Sequence, residues 1–471
     1  MLILLFFVLG LLLRTYDLNS IPLSSDSGRD LLIIYNIVQT HQLALLGPPT
    51  SLGWLYLGPF VYYLWTPFLM VSQGDPRSIV ILSTALDAFV APLIYYFGKK
   101  YIGKKASSVA AFFYMTSPLI ILWSRTPLHP SLAPIFVTIL LILMARWRGA
   151  LTSGHIVILG LICGVLLQTH LAAAVLVLFV FIYTHRNSCK SLTSKIFLFL
   201  LPVLITLTPL LYYDVTNHFS MTLRFFLWLP YRILSSFGVA DWGHAVTISS
   251  LMNTVINLVD ILKLLFFPIG SVLFAIGLLA FLYGILIKSK KLPWVIRICL
   301  QTTIASVVAI IFFGSVQQHY LTFLFPIISL LIAFSISTFQ KEHPRSRVLT
   351  IFLVLIGANT FNLIVSGQLV LLGRPYVLPL SVQEEIADYI DQQSKNQPFS
   401  LKPRPDIVNL PNYLDNYKYL LLWRWHKTPT ENAKTIFTIY DIPKKDINFT
   451  EEDEIKLFPN SAVVTTNYEY Q

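Results

Sequence analysis

Charge is scarce in this sequence. Only 12% of its 471 residues are Asp, Glu, Lys or Arg, about half the share of about 25% found in soluble globular chains. A chain so poor in charge cannot coat a water-facing surface of its own length. Strict alternation of polar and apolar residues is missing from the apolar runs, which excludes a membrane β-barrel. Cysteine is nearly absent. Cys163, Cys189 and Cys299 lie in or beside apolar runs and none falls in the polar C-terminus, so no disulfide framework or CxxC metal site is available there. The opening MLILLFFVLGLLL lacks a basic n-region and a small-residue cleavage site, so it reads as a short first span rather than a signal peptide. Repeats of about 20–50 residues and low-complexity tracts are also missing.

What the chain has is oil. Hydrophobic residues make up 55%, and apolar stretches of about 17 to 25 residues recur as far as residue 371. This pattern predicts a polytopic α-helical membrane protein. Candidate spans are 2–13, 78–98, 107–124, 131–147, 155–169, 171–184, 196–213, 261–287, 298–316, 320–338 and 348–371. The net charge of +11 is dispersed over many loops, which points to basic cytoplasmic loops and not to nucleic acid.

One further apolar run, WLYLGPFVYYLWTPFLMVS (54–72), decides the topology. If it does not cross, the loops holding Lys99, Lys100, Lys104 and Lys105, then Arg146 and Arg148, then Arg186, Lys190 and Lys195, then Lys288 to Arg297, then Lys341 to Arg347 all fall inside. Those loops hold almost half of the 34 Lys and Arg. If 54–72 crosses, every later loop flips and the bias inverts. The positive-inside rule therefore makes 54–72 an interfacial segment, and Gly58, Pro59, Pro67 and its Trp and Tyr residues suit that reading. The result is about 11 spans in a region 1–371. A first outside loop covers 14–77, a second covers 214–260, and residues 372–471 form an outside segment.

That last segment turns polar and predicts a small α/β domain. VQEEIADYIDQQ (382–393) reads as an amphipathic helix, and YKYLLLW (417–423) and TIFTIYDI (435–442) read as strands. Its NFT at 448 is a formal glycosylation sequon.

Polar chemistry is concentrated in a few outside stretches. SSDSGRD (24–30) starts a helix over Leu31 to Leu45, with Asp26 and Asp30 one turn apart and Arg29 beside them. SRTPLHPS (124–131) carries Arg125 and His129 with two prolines that forbid a continuous helix. GSVQQHYLTFLFP (314–326) carries Gln317, Gln318, His319 and Tyr320. His170 ends its span at the same face. Each has a plainer reading: a helix cap with a surface pair, a snorkelling turn, an interfacial aromatic belt, a satisfied polar residue. Their common side of the membrane gives them weight. A carboxylate to take a proton from an acceptor hydroxyl, with cations for a departing phosphate, suits a transferase that uses a lipid-phosphate donor. Apolar spans and the 54–72 segment would hold the polyprenyl tail.

The ordered set Arg14, Asp26-Ser-Gly-Arg29-Asp30, LLGPPTS (45–51), LGPFVYYL (57–64), SRTPLHPSLAP (124–134) and HYLTFLFPIISLLIA (319–333) resembles the bacterial membrane glycosyltransferases of the GT-C class. The resemblance is to the dolichyl-phosphate-mannose–protein mannosyltransferase-like family (family 39-like), which includes the aminoarabinose transferases of lipid A. It covers about 1–375. It implies a hexosyl- or pentosyltransferase of the cell membrane. Such an enzyme moves a sugar with inversion from a polyprenyl-phosphate donor to a protein, lipid or glycan acceptor at the outer face. Asp26 matches the family's essential acid in the first outside loop. The family often has Asp-Glu there and this chain has Asp-Ser, so Asp30 is a candidate second acid. His129 falls where many relatives carry an acid. Arg29, Asp30, Arg125, His129, His319 and Tyr320 are the expected substrate and phosphate contacts. No obligatory metal or other cofactor is expected, with divalent-ion dependence left open. Two rival readings remain. A transporter or lipid flippase is suggested by Asp87 within a span, and a non-catalytic scaffold would use the outside segment to bind a partner.

Overall fold

Backbone groups in lipid must be satisfied within the chain, and a helix does this over any length. The computed structural model is accordingly helical throughout its apolar stretches. The structure describes residues 1–149, 151–237, 239, 247–266, 270–288, 292–313, 316–367, 377–405, 412–431, 433–440 and 454–467. Its helices are α1 (Leu2–Thr15), α2 (Ser25–Thr40), α3 (Phe60–Val71), α4 (Arg77–Ala88), α5 (Val90–Tyr101), α6 (Lys104–Thr116), α7 (Pro118–Ser124), α8 (Ala133–Arg146), α9 (Ser153–Thr169) and α10 (Ala174–Arg186). They continue as α11 (Leu192–Thr206), α12 (Thr208–Thr216), α13 (Ser220–Ser236), α14 (Ile248–Lys263), α15 (Gly270–Lys288), α16 (Trp294–Phe313), α17 (Phe325–Glu342), α18 (Val348–Val365), α19 (Leu380–Ser394) and α20 (Asp415–Trp425).

Among the described residues, five helices are long and apolar enough to cross a membrane: Arg77–Tyr101, His129–Arg146, Trp294–Ile311, Gln318–Glu342 and Val348–Val365. Two bent pairs raise the number to seven. α6 and α7 meet at 58° and α11 and α12 at 77°; Pro118 and Pro209 sit at the two breaks, where a missing N–H ends the preceding ladder. Leu2–Thr15, Ser153–Thr169, Leu171–Arg186 and Val272–Lys288 are shorter apolar helices. The expected span 261–287 is not one helix. α14 stops at Lys263 and α15 starts at Gly270, and the sequence Phe267-Pro-Ile-Gly270 between them carries both helix-breaking residue types.

Contacts between loops sort into two ends. At one end Tyr101 donates to the Ala145 carbonyl at 3.1 Å and Lys195 to that of His185 at 2.9 Å. There too Lys288 pairs with Glu342 at 2.9 Å, and the Arg148 guanidinium lies 5.3 Å from the Trp294 ring centre. These are the basic loops. At the other end lie Asp30, Arg125, His129, His170 and His319. The two sets are those that charge parity had separated.

α3 belongs to the second end. Twelve residues span about 18 Å, well short of an apolar bilayer core of about 30 Å. Its Val61, Tyr62, Trp65 and Leu69 are buried in one core with Leu31, Ile34, Leu380, Ile386, Leu420 and Phe437. A second, larger core fills the bundle around α5, α6, α8, α9 and α17. The segment 214–260 is largely helical. α13 turns Leu223, Phe226, Leu227, Ile233 and Leu234 outward and buries Arg232, an arrangement suited to lipid rather than water.

The C-terminal segment folds as expected in class. Its sheet comprises β1 (Phe399–Pro403), β2 (Thr435–Tyr440), β3 (Glu454–Phe458) and β4 (Ser461–Asn467). The order is β1-β2-β4-β3, with β1 and β2 parallel and the other pairs antiparallel. α19 and β2 match the expected helix and strand, while the last two residues expected in that strand, 441–442, and the sequon at 448 lie outside the described residues. The expected strand 417–423 is instead the centre of α20. Its apolar run is too short for periodicity to separate a buried strand from a helix. Asp415 in the first turn favours the helix, and Tyr417, Leu420 and Leu421 form one buried face.

This segment is fastened to the stretch between α1 and α4. Leu380 N–H donates to the Ile21 carbonyl at 2.9 Å. The Gln383 amide donates to the Leu23 carbonyl at 2.9 Å and accepts from Asn416 at 2.6 Å. Arg77 forms a two-pronged pair with Glu384 at 2.9 and 2.8 Å. Tyr419 donates to the Gly74 carbonyl. α20 crosses α2 at Gly28, where any Cβ would fall inside the backbone of Asp415 and Asn416.

Candidate active site

The SSDSGRD stretch forms the first turns of α2. The helix begins six residues before the expected Leu31, because Ser24 caps it by accepting from Ser27 N–H at 3.2 Å. It ends at Thr40, where His41 turns left-handed at φ 57°. Asp26 lies in the first turn, where the helix dipole favours an acid, and its side chain is 63% exposed. Arg29 donates from Nη1 to Asp26 Oδ1 at 2.7 Å and from Nε and Nη2 to Asp30 Oδ1 at 3.0 and 2.7 Å. The guanidinium thus bridges the two acids one turn apart.

Asp30 is fully buried. Its Oδ1 also accepts from the Tyr62 hydroxyl at 2.8 Å. Its Oδ2 has no hydrogen-bond partner and lies 3.8 Å from His129 Nδ1, which is also buried without one. Burial pushes the Asp30 carboxyl up, but the adjoining His129 ring and the Arg29 guanidinium outweigh it and hold it below the usual carboxylate range. Burial and the Asp30 charge push the Tyr62 hydroxyl well above its usual value. Asp30 is therefore an ionised anchor for Arg29, while Asp26 is the exposed carboxylate of the pair.

Histidines lead away from Asp30. His129 opens a 3₁₀ turn ahead of α8, and its ring is parallel to that of His170 with centres 6.4 Å apart. His170 ends α9, and its Nδ1 accepts from Ala172 N–H at 3.1 Å. That bond places the proton of the neutral ring on Nε2. Burial, with His319 and His129 close by, holds His170 well below its ordinary pKa. His319 meets the edge of His170 at 5.2 Å between ring centres, and Tyr320 lies 4.6 Å from His319 and 5.1 Å from His170. Trp123 packs on His319 at 5.8 Å and donates to Gln318 Oε1 at 3.3 Å. Among the described residues, no three His, Cys, Asp or Glu side chains are grouped to hold a metal ion.

The structure thus brings together Asp26, Arg29, Asp30, His129, His319 and Tyr320 as one connected cluster. Arg125 is used elsewhere. It is 2% exposed and donates to the Tyr16 and Asp17 carbonyls at 2.7 Å and to Ser20 Oγ at 2.8 Å. Burial lowers its pKa to about 10. It ties α7 to the strand of chain leading into α2, so it positions the acids without reaching them. Sequence reading had placed Asp87 among possible transport residues. It is instead the buried partner of Arg14 at 2.7 Å and accepts from Tyr114, a structural pair inside the bundle. Tyr62 was missed. Its only sequence signal was membership of the aromatic group in 54–72.

No family model matches the sequence, and no curated protein is similar to it in sequence. Solved structures do match. The structure of ArnT from Cupriavidus metallidurans bound to undecaprenyl phosphate superposes with a TM-score of 0.58 at 12% identity, over 98% of each chain. The archaeal oligosaccharyltransferase AglB from Archaeoglobus fulgidus, in complex with an inhibitory peptide and a dolichol-phosphate, gives 0.53 at 14% identity, over 93% of this chain and 68% of that one. At these identities the likeness establishes the fold alone: this is a multi-pass membrane chain with the fold of those structures and a small C-terminal α/β domain.

Proposed function

We propose that the chain is an integral-membrane glycosyltransferase that moves a sugar from a polyprenyl-phosphate donor to an acceptor at the outer face, with inversion. The observation that carries this reading is the meeting of Asp26, Arg29 and Asp30 from α2 with His129, His170 and His319 from three other connections, at one end of a GT-C-type bundle. The structural neighbours bound to undecaprenyl phosphate and to dolichol-phosphate support the donor class.

Asp26 takes the proton of the acceptor hydroxyl or amine. The acceptor attacks the anomeric carbon, its bond to that carbon forms, and the carbon–oxygen bond to phosphate breaks. The electron pair leaves with polyprenyl phosphate. Phosphate is a good leaving group, so its charge needs stabilisation more than protonation. Arg29 supplies part of that. A phosphate oxygen that takes over Nη1 releases Asp26 for the acceptor, while Asp30 keeps Nε and Nη2 in place. His129, His319 and Tyr320 provide further donors on the same side. The catalytic end and the C-terminal domain face away from the cytoplasm, as the basic loops require.

The test is transfer of labelled sugar from a polyprenyl-phosphate donor by purified protein. Asp26→Asn abolishes transfer and leaves yield unchanged. Full activity in that variant would overturn the role of Asp26. Directional transport of the lipid without transfer would favour the flippase reading, whose main support, Asp87, is now accounted for by Arg14.

A further inference from the structure

Two buried polar atoms face each other without bonding. Asp30 Oδ2 and His129 Nδ1 are 3.8 Å apart, and neither has a hydrogen-bond partner among the described residues. A hydrogen bond between them would reach about 3.2 Å at most, so a small approach satisfies both atoms at once. The His129 side chain is 13% exposed, and that exposure lies away from the enclosed Nδ1. Nε2 is therefore the nitrogen able to meet a ligand.

This geometry fixes the ring's proton. A ring nitrogen turned to a carboxylate carries hydrogen, so in neutral His129 Nδ1 is the donor and Nε2 bears a lone pair. A lone pair repels a phosphate oxygen. His129 serves a phosphate only after Nε2 takes up a second proton.

The surrounding charges favour that uptake. Asp26, Asp30 and Arg29 together carry one negative charge in excess. Tyr62 adds only a neutral hydroxyl to Asp30. Arg125 is spent on the Tyr16 and Asp17 carbonyls, and on α4 Arg77 and Asp87 pair with Glu384 and Arg14. His170 accepts through Nδ1 from Ala172 N–H, a bond that its own protonation would break. His319 and Tyr320 pack on His170 at 5.2 and 5.1 Å between ring centres. An imidazolium at His129 lies against Asp30 and brings the acids and Arg29 to neutrality as an anionic phosphate arrives.

We propose that His129 takes up one proton at Nε2 when the donor's phosphate binds, with Asp30 as the positioning residue that holds the charged ring. The proposal rests on the glycosyltransferase reading above and adds a proton to the binding step. Asp30 then has two tasks, with Oδ1 on Arg29 and Oδ2 on His129.

The test measures lipid binding to the full-length protein in detergent with EDTA, from about pH 8 down to about pH 6, where histidine titrates. The probe is the methyl diester of undecaprenyl phosphate, which keeps one charge over this range; a phosphate monoester itself titrates at about pH 6. In wild type affinity rises as the pH falls, by up to about tenfold per unit. Calorimetry in buffers of different ionisation enthalpy reads about one proton taken up per lipid. His129→Gln binds weakly without the slope, and Asp30→Asn loses the slope as well. His129→Lys, with a fixed charge, binds at about pH 8 as tightly as wild type does at about pH 6. The wild-type slope needs no variant, so it tests the proposal even where a variant misfolds. A flat wild-type affinity, or a slope that survives in His129→Gln, overturns the proposal, and so does binding that appears only when a divalent ion replaces the EDTA. A protein that binds this lipid at no pH, with or without such an ion, overturns the glycosyltransferase reading instead.

Discussion

Replacing Gly28 by Ala tests how α2 is held. By helix propensity alone the change stabilises by about 0.5–1 kcal/mol, because Gly28 lies within α2. The surroundings reverse the sign. A Cβ at Gly28 falls inside 3.0 Å of Asn416 N and Cα and of the Asp415 carbonyl carbon. These are backbone atoms of α20 and its N-terminal turn, and no rotamer change moves them. α20 must retreat by roughly 1 Å or more, a gap that forfeits a quarter to a half of each contact's dispersion energy. Tyr417, Leu420 and Leu421 are the buried side chains that lose it, and the 2.6 Å bond from Asn416 to Gln383 breaks with them. Overpacking of this kind costs about 1–3 kcal/mol or more, so the net effect is a loss of about 2 kcal/mol. Gly154→Ala is the control. Its Cβ meets only Thr152 Oγ1 at 3.9 Å, so only propensity acts there. Thermal denaturation in detergent and limited proteolysis of the C-terminal domain read the difference. Gly28→Ala melts below wild type and exposes that domain, and Gly154→Ala does neither. If Gly28→Ala melts at or above wild type, the α2–α20 contact does not hold the site as described.

Other perturbations follow from the same geometry. Tyr62→Phe removes a hydroxyl donor from the buried Asp30 and costs about 1.5–3 kcal/mol, read as a lowered melting temperature; an unchanged value would remove Tyr62 from the anchor. Asp87→Ala leaves Arg14 charged inside the bundle and costs about 3–5 kcal/mol, whereas Arg14→Met with Asp87→Leu recovers most of it; yield of monodisperse protein measures both, and equal yields would refute the pairing. His170 has a depressed pKa in the fold. Its contribution to stability is complete above about pH 6.5 and is lost as the pH falls from there towards the folded value. His170→Asn keeps an acceptor for Ala172 N–H and flattens melting temperature against pH below about 6.5; an unaltered slope would refute the assignment.

Much of the architecture was legible because lipid imposes simple rules. Apolar length marked the helices, and the dispersed lysines and arginines placed the loops in two sets that the contacts reproduce. Asp26, Arg29 and Asp30 stood out as charge in a chain with little of it. Their division of labour was not legible. Asp30 becomes the buried anchor only through Tyr62 on α3 and His129 before α8, residues 32 and 99 positions away, and local sequence carries no record of such meetings. The contacts of Arg125 were hidden for the same reason, since its partners Tyr16, Asp17 and Ser20 lie more than 100 residues earlier. YKYLLLW was ambiguous because a short apolar run fits a buried strand or a helix equally well.

The bond from Asn416 to Gln383, and from Gln383 to Leu23, also sets an order of events during synthesis. Residue 28 leaves the ribosome well before its packing partners near residue 416. At about 5–20 residues per second, α2 waits roughly 20–80 s for the chain that seats it. A nascent or truncated protein carries the acids of α2 without the support that aligns them. Synthesis past residue 416 is thus a precondition for a formed site, and the segment around α20 acts as a late check on the helix that carries the acids.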